Sequence, residues 1–463
     1  MKFGVSETDG HRRAPTGTAG EGTALRTQFI YLFGARIFAS AAQAAVLLIL
    51  ARVVSVNSFG VLNSALAVGL LAASAADFGA STLLAKAQAK GDHETVTECV
   101  NFSVSSTLIC AVALVAAAAW YTKLEDLAGP LITLGIAISL EKNAECLLSV
   151  PMANGDKYTP PLSVLLRRSV TLATFIGMLA VGVGGAWSYG LSYLAGSLAG
   201  QVHLRRTVAE SPSLWSRGRL GTSIIKKSFP YFASNISAQS RLLDLPVIAV
   251  VSGAVGAGLY AGGTKVTGPF MLIPTVLTAL IMPHAVRQRK SVVAALARKM
   301  FVVAVLVELL LFTPVSLFAD HVVVLLLGHA FAAAAPTFAW TVAGIPFVVL
   351  APPLGSILQS QGKERSVAVN GVAFAVISLS AAAISCAFLG IWAAAAAMTI
   401  SYALKCVVLM LVINTSLTEP AFDRPEDTGK KGVIREVVRD RLRLPGSGPR
   451  RVDGHSRARG GGH

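Results

Sequence analysis

The run GARIFASAAQAAVLLILARVVSVNSFGVLNSALAVGLLAASAADFGAS, residues 34–81, decides the fold. It holds most of two apolar stretches, 28–52 and 58–86, joined by a short loop. A helix needs about 20 apolar residues to cross a bilayer, and each stretch meets that length. Each also carries a charge well inside it, Arg36 in the first and Asp77 in the second. A charge at membrane depth costs at least roughly 2.5–3.5 kcal/mol on insertion scales, so such residues face a bundle interior or a water-filled cavity. The pattern recurs at Glu141, Arg241, Asp244, Lys265, Glu308 and Lys405. The chain therefore reads as an all-α polytopic membrane protein with a polar path through its middle.

Composition agrees. Of 463 residues, 54% are hydrophobic and only 14% charged, where a soluble domain carries about 25% charged residues. The net charge of +16 would point to nucleic acid in a soluble protein. Here the basic residues cluster between spans and in the tails, so membrane orientation accounts for them and no nucleic-acid partner is expected. The cysteines Cys99, Cys110, Cys146, Cys386 and Cys406 show no metal-ligand spacing, and no metal or other cofactor is expected. No P-loop, HExxH or nucleophile elbow is present, so the chain is not expected to be an enzyme.

Twelve spans are predicted: 28–52, 58–86, 97–120, 127–150, 160–183, 186–204, 226–252, 256–285, 292–318, 336–360, 366–388 and 391–414. Residues 320–335 suit a short interfacial helix. Even-numbered connections and both tails hold the basic residues, among them Arg26, Lys86, Lys90, Lys157, Lys226 and Lys363. Odd-numbered connections hold little beyond Arg52 and Lys123. That asymmetry puts both termini in the cytoplasm. The polar, basic linker 205–225 splits the spans into halves 28–204 and 226–415, which fit parallel six-span repeats. Residues 1–27 read as a disordered cytoplasmic segment and 416–463 as a basic cytoplasmic tail. Within that tail, 431–444 fit either an amphipathic surface helix or a frayed end.

Depth along the helices groups the buried charges. Arg36 and Asp77 lie at matching depths on sequential spans and can meet; Asp244 and Lys265 do the same at another level. Pairs at two levels fit gates of an alternating-access carrier, or static pairs that offset their own insertion cost. Arg241, three residues before Asp244, can offer its guanidinium fork to a phosphate. Glu141 and Glu308 are candidates for a proton-carrying carboxylate, while Arg167 and Arg168 are expected to snorkel to the interface. Lys405 fits either a cavity cation or a snorkelling side chain.

Ala51-Arg52, Phe59-Gly60 and Asp77-Phe78-Gly79 resemble the opening of bacterial polysaccharide-exporting flippases. VGAGLYAGGTKV (255–266), LLLGHAFAAAAPTFAW (325–340) and ILQSQGKER (357–365) extend the resemblance over nearly all of 28–415. That family belongs to the multidrug/oligosaccharidyl-lipid/polysaccharide exporter superfamily. The resemblance implies two six-helix bundles around a central cavity in the bacterial cytoplasmic membrane. It implies a polyprenyl-diphosphate-linked oligosaccharide as cargo, moved between leaflets by an ion gradient or the membrane potential. Arg36, Arg241, Lys265 and Lys405 would bind the cargo. Asp77, Asp244, Glu141 and Glu308 would serve ion coupling or gating, with H+ or Na+ both open. A polysaccharide polymerase and glycosyltransferases are candidate partners, besides membrane lipids. Two alternatives stand beside this reading: an ion-coupled multidrug antiporter of the superfamily using Asp77, Asp244 or Glu308, and a membrane scaffold for glycan assembly.

Overall fold

The structure, a computed structural model, describes residues 19–120, 126–208, 222–274 and 290–417, with isolated positions between 275 and 289. Residues 1–18, most of the 205–225 linker and the tail from 418, with its expected helix at 431–444, lie outside the described residues, as do Lys123 and Arg287.

Every regular element among the described residues is helical. The first half comprises α1 (Ala19–Val53), α2 (Val56–Asp77), α3 (Ala80–Lys90), α4 (His93–Trp120), α5 (Ala128–Ala153), α6 (Thr159–Ala180) and α7 (Gly185–Thr207). The second half comprises α8 (Thr222–Gln239), α9 (Asp244–Lys265), α10 (Lys290–Val307), α11 (Thr313–Leu317), α12 (Ala319–Leu327), α13 (Ala335–Ser360), α14 (Glu364–Leu389) and α15 (Ile391–Leu417). The short α12, followed by a 3-10 turn at His329–Ala334, occupies the stretch expected to be interfacial.

Local chemistry sets the helix starts. Ser55 Oγ accepts the Ser58 N–H at the head of α2 (3.1 Å), and Asp92 Oδ1 accepts the Thr95 N–H at the head of α4 (3.1 Å). Asp156 Oδ1 accepts the N–H groups of Tyr158 and Thr159 ahead of α6. Large apolar side chains such as Leu108, Val112, Leu310, Leu317 and Phe388 are exposed around the outside. Lipid solvates such a surface, so the bundle is held by close packing and internal polar contacts rather than by hydrophobic driving force.

Nine described helical stretches are long and apolar enough to span a membrane. The Arg241–Lys265 stretch is two legs rather than one. Gly253 adopts φ 72° and ψ −178° inside α9, a conformation that only glycine adopts without strain. The Tyr260 hydroxyl approaches Asp244 Oδ2 to 3.4 Å, although the two residues would lie about 24 Å apart on a straight helix. The chain therefore reverses at Gly253, between the expected spans 226–252 and 256–285.

Among the described residues, four expected continuous spans are interrupted, one of them, 256–285, by a 3-10 turn at Gly268–Leu272. The 58–86 span breaks between α2 and α3, where Phe78 (φ 49°) and Gly79 (φ 78°) are left-handed and Phe78 stacks on Phe232 (ring centroids 4.3 Å). The 226–252 span tightens into a 3-10 turn at Ser240–Leu243. The 292–318 span carries a π turn at Glu308–Phe312. Hydropathy does not register such breaks, because each keeps its apolar composition.

The halves meet at one end through α2 and the second leg of α9. A Cβ on Gly60 would fall 2.0 Å from Ala254 O, and one on Gly258 would fall 2.1 Å from Val56 O. Backbone thus rests on backbone at this crossing. Phe59 packs edge-on against Phe331 (5.3 Å), and Arg52 donates to the carbonyls of Leu325 and Leu326 (3.2 Å to the latter) at the end of α12. A guanidinium at a helix C-terminus satisfies orphan carbonyls and complements the dipole.

Gly60→Val is expected to pry this end open. A cysteine placed at Phe331 in a cysteine-free background should then react with a water-soluble maleimide many-fold faster than with Gly60 present. Equal labelling rates would show that the crossing does not seal this end.

Candidate functional site

A cavity of about 900 Å3 lies between the halves, opposite the sealed end. Its walls come from the parts of α1, α3, α5 and α6 nearest the basic loops: Arg36, Thr82, Ser149 and Val164 all line it. The sealed crossing therefore forms its floor, and its mouth faces the end that carries Lys86, Lys157 and Lys363. Among the described residues, the lining holds five cations, Arg36, Lys142, Arg167, Arg168 and Lys265, against two carboxylates, Glu141 and Glu145.

Glu141 organises the first-half wall. Its Oε1 forms an ion pair with Arg167 Nη1 at 2.9 Å and accepts from Arg168 Nη2 at 2.8 Å, and Ser197 Oγ donates to Oε2 at 3.4 Å. Arg168 Nη1 also donates to Gln43 Oε1 (3.3 Å), and its guanidinium lies over the Tyr193 ring at 5.7 Å. Arg167 is 5% exposed and Arg168 23% exposed, so the second guanidinium keeps a face toward the cavity. The triad has one charge more than it neutralises. The α6 and α7 helices sit close here because Gly196 and Gly200 on α7 press onto Arg167 and Thr171.

This corrects the expectation that Arg167 and Arg168 snorkel. Both turn inward because a buried carboxylate on the neighbouring helix offers charge-assisted bonds that the interface does not. Glu141, expected as a coupling carboxylate, is occupied as the counter-ion of two arginines.

The remaining expected residues divide. Arg36 and Lys265 line the cavity. Lys265 also borders a small pocket against the floor beside Phe59 and Leu327. Asp77 does not meet Arg36: it is 3% exposed, accepts from Ser81 Oγ (2.8 Å) and interacts electrostatically with Lys142. The break after α2 keeps Asp77 on the inner side of the bundle, while Arg36 faces open cavity. Asp244 accepts the Leu245 N–H (2.6 Å) and the Tyr260 hydroxyl (3.4 Å), and interacts with Lys265 and Arg241. Lys405 lies over the Tyr402 ring at 5.9 Å, and both sense Arg241. Arg241, Asp244 and Lys405 thus form a second polar cluster that reaches the cavity through Lys265. Glu308 stands apart in its π turn, bonded from Thr313 Oγ1 (3.2 Å), and does not line the cavity.

Sequence reasoning missed Lys142, Arg167, Arg168, Gln43 and Tyr193. One signal was available: a carboxylate as deep as Glu141 needs a cation at equal depth on a neighbouring span, and 167–168 on the next one supply two.

The fold is thus one of paired helical halves around a polar cavity. Three solved structures share it. The lipid II flippase MurJ in an inward closed conformation superposes with a TM-score of 0.64 at 12% identity, covering 90% of this chain and 94% of that one. A variant of the MATE transporter VcmN of Vibrio cholerae gives 0.56 at 12% identity, covering 87% and 99%. A MOP superfamily transporter from Pyrococcus furiosus, described as having a binding pocket of reversed polarity, gives 0.56 at 14% identity, covering 85% and 95%. At these identities the likeness shows the fold. No curated protein sequence matches. Residues 49–336 match the family described as "Polysaccharide biosynthesis protein", which is more than half of the chain. The chain belongs to the polysaccharide biosynthesis protein family.

Removing one member of a buried ion cluster leaves uncompensated charge, at a cost of about 3–5 kcal/mol. Glu141→Gln is therefore expected to lower the thermal midpoint in detergent by several degrees or more. Glu141→Leu combined with Arg167→Met should recover part of that loss. An unchanged midpoint for Glu141→Gln would remove the triad from the account of stability.

Proposed function

We propose that this protein moves a polyprenyl-diphosphate-linked oligosaccharide from the cytoplasmic to the outer leaflet of a bacterial cytoplasmic membrane, for surface polysaccharide export. The observation that carries the reading is the sign of the cavity: five cations against two carboxylates, at a volume of about 900 Å3. Ligand sites run to about 300–1,000 Å3, so the space suits a diphosphate and its first sugars. Arginine forks recognise phosphate oxygens in pairs, and Arg36 and the free face of Arg168 both turn to this space. Family membership and the flippase-type fold support the same reading.

In this scheme the basic loops face the cytoplasm, so the cavity as seen is inward-open. The cargo headgroup enters, meets Arg36, Arg168, Lys142 and Lys265, and the Gly60–Gly258 crossing parts while the opposite end closes. The Arg241–Asp244–Lys405 cluster gives the second half charges that can rearrange as the cavity changes sides. A surplus of fixed positive charge disfavours cationic drugs as cargo, which sets the flippase above the multidrug antiporter.

Mass spectrometry of polyprenyl-linked sugars tests this directly. A strain lacking the protein, and one carrying Arg36→Ala, should both accumulate a lipid-diphosphate oligosaccharide and lose one surface glycan. An unchanged lipid-linked pool with altered sensitivity to toxic cations would favour the antiporter. Wild-type flux with Arg36→Ala would take Arg36 out of the path.

A further inference from the structure

At the sealed end Arg52 reaches from one half to the other. It stands in the last turn of α1 and is exposed. Its acceptors, the carbonyls of Leu325 and Leu326, belong to α12 of the second half. The contact lies against the small floor pocket of about 30 Å3. Ala44 and Leu48 line that pocket from α1, and Arg52 follows at the next i+4 step on the same face. Leu327 lines it from α12, directly after the two carbonyls that Arg52 holds. Arg52 therefore closes the pocket from the outer side. Ala44, Leu47 and Lys265 border both this pocket and the central cavity, so Lys265 stands on its inner side. The seal thus has one cation on each side.

The partner that Arg52 holds is a weak imitation of an anion. The Gly328 N–H closes the last turn of α12 on Val324 O (3.0 Å), and the next two carbonyls turn to the guanidinium. A helix C-terminus carries the equivalent of about half a negative charge. A phosphate carries more, and two of its oxygens match the guanidinium fork. The contact is also one that transport must break. Arg52 belongs to the first half and α12 to the second, so parting of the Gly60–Gly258 crossing draws them apart. The fork then comes free on the outer side of the pocket, beyond Lys265.

We propose that Arg52 is a phosphate-binding residue of the outward-open state, and that it exchanges the α12 carbonyls for the cargo diphosphate as the sealed end opens. This rests on the anionic cargo proposed above. Empty protein that opens outward loses both carbonyl bonds and gains no anion in return. Loaded protein replaces them with a charge-assisted pair. A ligand shifts a conformational equilibrium only through its differential affinity for the two states, and Arg52 supplies that difference. Once the cargo leaves, the carbonyls recapture the fork and the empty carrier returns to the inward-open state.

The test uses full-length protein in lipid nanodiscs, free of native cysteines, with spin labels on Val181→Cys and His321→Cys and distances read by pulsed EPR. Val181 is exposed in the α6–α7 connection, where Gly185 abuts Val53, and His321 is exposed on α12. The pair therefore reports separation of the halves at the outer end. The probe is a long-chain polyprenyl diphosphate, with the same polyprenyl alcohol as control. With Arg52 present, the diphosphate should raise the long-distance population several-fold and the alcohol should not. Arg52→Gln should raise that population in the empty protein and cut its response to diphosphate several-fold. Arg52→Lys should keep part of the response, since an ammonium holds phosphate as a point charge. An undiminished diphosphate response in Arg52→Gln reduces Arg52 to a latch and overturns the exchange. An empty Arg52→Gln protein that stays closed overturns it as well. Should Arg52→Gln not fold, Arg52→Lys decides: populations identical to those with Arg52, both with and without diphosphate, overturn the proposal. Binding of the diphosphate is followed in parallel. Bound diphosphate without opening overturns the exchange and leaves the cargo reading standing; no binding removes both.

Discussion

The pairing of Glu141 with Arg167 and Arg168 is the interaction on which the first half depends. An ion in a bilayer interior is tolerated only when paired and hydrogen-bonded. Here one carboxylate serves two guanidiniums from the next helix. That solution fixes α5 against α6 and leaves one positive charge over. Because Arg168 is half-held by Gln43 and Tyr193, the surplus points into the cavity rather than into lipid. Under the proposed function, stability and cargo chemistry would share residues, and a charge-removing change in the triad would act on both.

The two ends of the molecule are built differently. At the floor, small residues let backbone meet backbone, and Arg52 satisfies the last carbonyls of α12. At the mouth, α3 and α8 touch along one flank, where Lys86 Nζ donates to the Tyr231 hydroxyl (2.9 Å). The breaks fall where the halves work against each other: after Asp77, at Arg241, at Gly253. Interrupted helices free carbonyls and let a leg pivot without melting the span. The Asp-Phe-Gly motif is then understandable as a joint. Phe78 in the left-handed region is locked by stacking on Phe232, and Asp77 ties the end of α2 to Ser81 on α3.

Much of this was legible in the sequence. Long apolar runs defined the spans. Interior charges marked Arg36 and Lys265, which do line the cavity. The turn at Gly253 falls in the gap between the expected spans 226–252 and 256–285. What stayed hidden depends on rotation about the helix axis. Arg167 and Arg168 look like interfacial side chains until the facing carboxylate is known. Lys142 directly follows Glu141 and so faces another side of α5, yet that side also lines the cavity. The expected meeting of Arg36 with Asp77 failed because depth alone was matched, and the helix break turned Asp77 toward α4 and α5. Glu308 was singled out by its charge, but its π turn lies among exposed apolar side chains, Leu309, Leu310 and Leu311.

The central claim is that a positively charged cavity selects a lipid by its diphosphate. Binding of a long-chain polyprenyl diphosphate to the purified protein, set beside the same polyprenyl alcohol and a lipophilic cation of similar size, tests it most directly. The account predicts that the diphosphate binds far more tightly than either, that inorganic pyrophosphate competes, and that affinity falls as salt rises. Equal binding of alcohol and diphosphate, or tighter binding of the cation, would contradict it.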